Sequence, residues 1–385
     1  MLRDELASWL RLTLTPGVGN LSARRLLEAF GLPADIFRQP ASELRIHASG
    51  AQVAALQGVP AGLEALLDST WTWLHGANPD GPQRAIATLG DPLYPTALLE
   101  TADPPLLLYL TGPARFLKAS TFPATRCLAM VGSRNPTPQG KENALQFSQA
   151  LHSAGWTIVS GLALGIDTAA HEGALTTSAP DDDTPRTIAV VGTGLDRVYP
   201  KRNLELAHRI AKAGLIISEY PLGTPPLAAN FPKRNRIISG LSLGTLVVEA
   251  APASGSLITA RLASEQGREV FAIPGSIHSI QSRGCHALLR QGAKLVETAQ
   301  DILEELPHNS QPPLSRPDPL LSAVNEDPRH TGLLETMGYD PVGLDALQAR
   351  TGLATPTLQV QLLELELEGT VVRLPGGLFQ RMARA

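Results

Sequence analysis

The apolar residues in the middle of the chain fall into short runs that do not alternate with polar ones. Six of these runs, at residues 128–131, 156–159, 187–191, 215–218, 245–248 and 269–272, are separated by longer stretches of helical character. A half-exposed strand alternates apolar with polar residues, so unalternating runs predict strands covered on both faces, as in a parallel sheet flanked by helices. The repeated βα order therefore predicts an α/β domain. Two further apolar pieces, at 85–89 and 106–110, precede the first of these strands and are expected to extend the same domain.

The ends of the chain follow other patterns. Residues 1 to about 75 show short helical periodicities broken by Pro16-Gly17-Val18-Gly19 and by Gly58-Val59-Pro60-Ala61-Gly62. The first turn resembles the hairpin of helix-hairpin-helix modules, whose glycines expose backbone N–H groups to phosphate. Ordinary helix punctuation by glycine is the favoured reading, because the segment carries more acids than bases. Residues 307–328 are rich in Pro, Ser and Asn without periodicity, which predicts a linker. Beyond it, 333–337, 344–350 and 356–368 predict three helices, and 370–379, centred on Pro375-Gly376-Gly377, predicts a hairpin. Together these make a winged-helix layout. The expected division is an N-terminal helical domain at 1–78, a central domain at 79–306, the linker at 307–328 and the winged helix at 329–385.

Composition narrows the class. The chain has 385 residues, 43% of them apolar, and its 34 Gly and 32 Pro occur without the periodicity of a fibrous protein. Cys127 and Cys285 are too few for a disulfide scaffold or a cysteine-based zinc site. Arg3, Asp4 and Glu5 stand where a signal peptide needs an apolar core, and charge-free runs such as 237–248 are shorter than the roughly 18 to 20 residues of a membrane span. The cytoplasm is the expected compartment. Net charge is −4, but residues 121–300 hold 17 Lys/Arg against 13 Asp/Glu while the rest hold 15 against 23. An anion site is therefore expected in the centre. The acidic run Asp181-Asp182-Asp183 between Pro180 and Pro185 reads as a surface insertion. The third helix of the winged unit holds Glu364, Glu366 and Glu368 with no Lys or Arg, which favours a protein contact over DNA readout and makes this unit dispensable for DNA binding.

In an open α/β sheet, ligands bind beyond the carboxyl ends of the strands. The loops that follow the predicted strands carry Gly132-Ser133-Arg134-Asn135-Pro136, Ser160-Gly161 through Gly165-Ile166-Asp167, Gly192 through Lys201-Arg202-Asn203, Phe231 through Lys233-Arg234-Asn235-Arg236, and Glu249 with Ser254-Gly255-Ser256-Leu257-Ile258-Thr259. Glycines, hydroxyls and cations are the groups that hold phosphate. Gly192-x-Gly194 begins a dinucleotide fingerprint that Arg197 breaks, and Gly140-Lys141 lacks the glycine and hydroxyl of a P-loop, since Asn135 and Glu142 stand there. His171-Glu172 has no second histidine nearby, so His171 reads as a structural helix residue. No catalytic residue, cofactor or metal ligand is assigned. What remains is a basic, glycine-lined cleft suited to a mobile single strand, with Tyr199 and Phe231 as stacking candidates. The candidate contacts are Gly132, Ser133, Arg134, Ser160, Gly161, Gly165, Lys201, Asn203, Lys233, Arg234, Asn235, Arg236, Gly255, Ser256 and Thr259. Arg134 is expected to contribute most, and Gly132, Gly161 and Gly255 to accept no side chain.

Across Val131-Gly132-Ser133-Arg134, Ser160 through His171 to Leu175, Gly192 to Asn203, Ser218-Glu219-Tyr220-Pro221, Phe231 to Gly240, Ser254 to Ala260 and Ala272 to Gly275, the chain resembles the bacterial DNA-processing protein A (DprA/Smf) family. The resemblance covers nearly the whole length. It implies an extended Rossmann-type parallel sheet with an N-terminal helical domain of SAM or helix-hairpin-helix type and a C-terminal winged helix. It further implies a homodimer that binds and protects single-stranded DNA and loads a RecA-type recombinase during natural transformation. A competing reading is a related Rossmann family, the nucleotide phosphoribohydrolases, whose active loop reads Pro-Gly-Gly-x-Gly-Thr followed by Glu. Here Ser254-Gly255-Ser256 occupies that loop, and Pro375-Gly376-Gly377 lies in the wing.

Overall fold

The structure is a computed structural model that describes residues 1–385 except 78, 80, 178–182, 307–327, 340, 375, 376 and 383–385. The expected linker lies, apart from its last residue, outside the described residues. So do Asp181, Asp182 and the Pro375-Gly376 centre of the wing.

The first 75 residues fold as α1 (Arg3–Leu14), α2 (Asn20–Phe30), α3 (Pro33–Ile36), α4 (Ala41–His47), α5 (Gly50–Gln57) and α6 (Leu63–His75). Leu6, Trp9 and Leu10 of α1 recur at helical spacing and are fully or almost fully buried. The turn before α2 is tied down internally, because Gln52 Nε2 donates to the Gly17 carbonyl at 2.8 Å and to Ser22 Oγ at 3.1 Å. The same Gln52 completes a capping box with Ser49 at the start of α5. This helical layer shares its core with Ile86, Leu106, Leu107 and Tyr109, so it packs against the edge of the sheet that follows.

That sheet is built from β1 (Gln83–Thr88), α7 (Thr96–Leu99), β2 (Leu107–Gly112), α8 (Ala114–Leu117), β3 (Cys127–Val131), α9 (Pro138–Ser153), β4 (Thr157–Ser160), α10 (Ile166–Thr176), β5 (Thr187–Val190), α11 (Leu204–Ala213), β6 (Leu215–Ser218), α12 (Asn230–Gly240), β7 (Gly244–Val247), α13 (Ser256–Glu265), β8 (Glu269–Ala272), α14 (Arg283–Arg290), β9 (Lys294–Leu295) and α15 (Ala299–Glu305). The strand order is β1-β2-β6-β5-β4-β3-β7-β8-β9. All six expected core strands are present and mutually parallel. The two earlier apolar pieces do extend the sheet, but as an antiparallel pair added at β6. Two-residue β9 was not legible in the sequence, since so short a stretch has no periodicity. Strands β3 to β7 are buried throughout because apolar clusters lie on both faces. The chain runs outward from β3 in one direction through β4, β5 and β6, then returns to pair β7 on its other side. This reversal opens a crevice beyond the carboxyl ends of β3 and β7.

The C-terminal residues form α16 (Pro328–Met337), β10 (Val342–Gly343), α17 (Leu344–Thr351), α18 (Thr355–Leu367), β11 (Val371–Leu374) and β12 (Leu378–Arg381), with sheet order β10-β12-β11. They have their own core, centred on Leu333, Leu347, Leu358, Leu362, Leu365 and Phe379. This is the winged-helix layout expected from the helical spacing and the hairpin. Among the described residues no helix is long and apolar enough to cross a membrane.

Candidate nucleic-acid interface

The crevice at the strand reversal is a cavity of about 720 Å³. The loop after β3 supplies Gly132, Ser133, Arg134 and Asn135, and α12 supplies Phe231, Arg234 and Asn235. The loop after β7 and the start of α13 supply Ser254, Gly255, Ser256 and Thr259. The first and last of these walls are joined by the Ser133 backbone N–H, which donates to the Glu249 carbonyl at 2.7 Å. Helix α13 begins in the cavity, where its Ser256 N–H donates to Ser254 Oγ at 3.3 Å and the Leu257 and Ile258 N–H groups donate to the Ser254 and Gly255 carbonyls, both at 3.2 Å. The helix start still adds partial positive charge where an anion would lie.

At the mouth, Arg134 is exposed and has no ion-pair partner among the described residues. Its guanidinium lies 6.0 Å from the centroid of the Phe231 ring, and Phe231 stands 5.5 Å from Tyr199 at an interplanar angle of 38°. Tyr199 is 46% exposed, so this aromatic step faces solvent. A cation beside a partly exposed aromatic pair can hold a phosphate while a base stacks on the exposed ring. Lys201 and Arg202 are exposed just beyond Tyr199, although neither lines the cavity. Lys233 turns to a smaller cavity of about 170 Å³ that it shares with Val18, Asn20 and Glu219.

Two of the expected rim cations lie inside the protein. Arg234 is 4% exposed, and its Nη1 donates to the Gly161 carbonyl at 2.6 Å and to the Val190 carbonyl. Asp167 is its electrostatic counterpart. The Asp167 carboxylate accepts from the Gly161 and Ala163 N–H groups at 3.1 and 3.2 Å. Burial raises the Asp167 pKa and lowers that of Arg234, and each charge partly offsets the other's shift. Arg234 thus forms the floor of the cleft. Arg236 is more fully committed: it forks onto Glu219 at 2.6 and 3.1 Å and donates from Nε to Asp103 at 2.8 Å. Its side chain is 10% exposed, and it braces α12 to the end of β6. A position after a strand suggested a rim charge for both, but an arginine within a helix points wherever the helix faces, and here that is inward.

Other expected contacts also stand behind the surface. Ser160 is fully buried and its hydroxyl donates to the Met130 carbonyl at 2.7 Å. Asn203 donates to the carbonyls of Leu162 and Ala163 at 3.0 and 3.2 Å and to Thr168 Oγ1 at 3.0 Å. Leu162 has φ of 59°, strained for a branched side chain, and the Asn203 amide helps hold that turn. Gly165 has φ of 83° at the start of α10, beneath the Ser133-Arg134 backbone. A Cβ at Gly132 would lie 2.6 Å from Ile166 Cγ1, and one at Gly161 would collide with the Arg234 guanidinium. Gly255 differs: its φ is −62° and an added Cβ meets nothing within 4 Å. The fold itself therefore leaves room for a side chain at Gly255, and the expectation that it excludes one rests on the approach of a bound strand alone. Asp167 and Gln281 line the cavity without having been singled out; Gln281 reaches it from the segment after β8, donating to the Asn135 carbonyl at 3.1 Å. An acid in an anion cleft gives no sequence signal when its charge is directed at backbone and a buried arginine.

His171 sits in the layer below and is fully buried. Thr187 Oγ1 already donates to the Ile158 carbonyl at 2.6 Å, so the 2.7 Å contact with His171 Nδ1 places the ring proton on Nδ1. Burial, helped by Arg234, pushes its pKa down to about 3. A histidine held neutral in the fold stabilises it above the unfolded-chain pKa of about 6.5, and this stabilisation drains away as pH falls from there towards 3. Between pH 6.5 and 4.5 the protein is expected to lose about 2 to 3 kcal/mol of stability that a His171→Gln variant does not lose. Urea unfolding of both proteins at the two pH values measures this, and equal losses would contradict it.

Two family models match the chain: DNA recombination-mediator protein A over residues 85–307, and the DprA winged helix domain over residues 310–377. Protein Smf of Escherichia coli is 41% identical over 83% of this chain and 82% of its own length. DNA processing protein DprA of Streptococcus pneumoniae is 49% identical over 56% of this chain and 72% of its own. The X-ray structure of the Streptococcus pneumoniae protein aligns with a TM-score of 0.63 at 36% identity, covering 80% of this chain and 99% of that one. A DNA processing protein A structure from Helicobacter pylori, whose description concerns its single-stranded DNA binding mode, aligns with a TM-score of 0.50 at 31% identity, over 58% of this chain and 94% of that one.

Proposed function

Since the chain belongs to the DNA recombination-mediator protein A family, we propose that its central domain binds single-stranded DNA in the crevice between β3 and β7. The observation that carries this is the unpaired Arg134 beside the Phe231–Tyr199 step, with the positive end of α13 behind it. A single strand can lay successive phosphates on Arg134, Lys201 and Arg202 while an unpaired base meets the aromatic step; a duplex keeps its bases stacked away from it. Binding, rather than catalysis, suits Asp167 in the cleft and Glu249 behind it. Asp167 is held by two backbone N–H groups, and Glu249 accepts from Thr137 N and Oγ1 at 2.9 and 2.5 Å, so neither is placed as a free base.

The test is a filter-binding comparison of single-stranded and duplex DNA across a salt series. Three phosphate contacts predict that log affinity falls against log salt with a slope of about 2, at roughly 0.7 per phosphate. Tighter duplex binding, or affinity indifferent to salt, would refute the reading. The finer role proposed is that of a homodimer that protects incoming single strands in natural transformation and passes them to a RecA-type recombinase. The family description as a recombination mediator supports it. Recombinase filament growth on strands precoated with a single-strand-binding protein, with and without this chain, tests the hand-over directly.

A further inference from the structure

Helix α18 leaves one apolar face uncovered. Leu358, Leu362 and Leu365 are buried in the core of the winged unit, but Val360, Leu363 and Leu367 are 56%, 55% and 81% exposed. Their spacing of three and four residues puts them in one stripe on the helix surface. Glu366 and Glu368 are exposed on the same stretch, and the helix contains no Lys or Arg. An apolar stripe bordered by acids is complementary to a surface that is basic and partly apolar. The mouth of the central cleft has that character, with Arg134, Lys201 and Arg202 beside exposed Tyr199 and Ile258, which are 46% and 41% accessible.

We infer that the α18 face docks on the mouth of the chain's own single-strand cleft and competes there with DNA. The inference rests on the single-strand reading of that cleft. Reach allows it: the 21 residues 307–327 between the two units can span up to about 70 Å when extended. Charge drives it, since residues 301–385 carry 6 Lys/Arg against 12 Asp/Glu, opposite in sign to the balance of residues 121–300. A tethered competitor lowers apparent affinity by the fraction of chains left open. The acids of α18 therefore act as a local substitute for the phosphate chain, displaced when a strand engages several cations at once.

The discriminating variant is charge-neutral. Glu366→Gln and Glu368→Gln would raise DNA affinity merely by relieving long-range repulsion, whereas Leu363→Ser with Leu367→Ser can do so only if the stripe makes contact. In the full-length protein at low salt, this double variant is expected to bind a short oligothymidylate on the order of three- to tenfold more tightly than wild type, by fluorescence anisotropy. The gain should shrink as salt rises. Leu367→Ser alone, at the most exposed position, should show part of the gain and secures the test if the double variant melts early. Unchanged affinity in variants that still bind DNA overturns the inference alone. Absence of single-strand binding in wild type and variants alike overturns the reading beneath it as well.

Discussion

Arg134→Ala is expected to weaken single-strand binding by about 10- to 100-fold, the largest loss among single cation removals in the cleft. A charge-assisted hydrogen bond contributes roughly 1.5 to 3 kcal/mol, and one such bond lost corresponds to that range. Arg134 is singled out by what its neighbours are doing. Arg234 is occupied by the carbonyls of Gly161 and Val190, Arg236 by Glu219 and Asp103, and Lys233 opens on another cavity. Arg134 alone among these four is exposed, unpaired and within the cleft, beside Phe231. Its removal should also reduce the salt slope by about 0.7, the signature of one lost phosphate contact. Lys201→Ala should cost less, since that side chain stands beyond the cavity lining. Anisotropy titrations on folded protein decide the matter; if Arg134→Ala retains wild-type affinity, the strand runs elsewhere.

Asp167→Ala is expected to be the more damaging change to the fold, at about 3 to 5 kcal/mol, because it leaves the Arg234 charge buried without its counterpart. It also strips the acceptor from the Gly161 and Ala163 N–H groups, which lie in the tight turn between β4 and α10. Asp167→Asn keeps an acceptor but not the charge, so it should fall between wild type and Ala. Urea unfolding midpoints order the three proteins. A loss below about 1 kcal/mol for Asp167→Ala would mean that Arg234 is neutralised by something other than this carboxylate. Because Arg234 lies under the cleft, the same variants should lose DNA affinity through a disturbed floor while the cations at the mouth are intact.

The order of α and β elements was legible in the residues themselves. Unalternating apolar runs separated by helical stretches are what a doubly covered parallel sheet requires, and local pattern is strong where burial on both faces leaves no polar positions. The winged unit was legible for a similar reason: helical spacing around Leu347, Leu358, Leu362 and Leu365, then a glycine-centred hairpin, are local signals. The place of the cleft also followed, since loops after successive parallel strands must gather at one end of the sheet. Ser133, Arg134, Ser254, Gly255 and Ser256, which belong to those loops, do line the crevice.

Only the tertiary structure decided which of those residues face the cleft. Lys233, Arg234 and Arg236 are near neighbours in sequence and equally cationic, yet α12 turns them about 100° apart per residue, and each meets a different surface. One reaches a side cavity, one forms the floor of the cleft with its guanidinium held by backbone carbonyls, and one is locked between two carboxylates. Gly161 and Gly255 likewise both follow core strands, but the former abuts a buried guanidinium and the latter opens to solvent. The antiparallel addition of β1 and β2 depended on which sheet edge was vacant, something no run of residues encodes locally. Residue type and spacing determine which elements form and at which end their loops gather. The direction of each side chain depends on contacts between segments distant in sequence, such as Arg234 with Gly161 and Arg236 with Asp103, and those contacts exist only once the chain has packed.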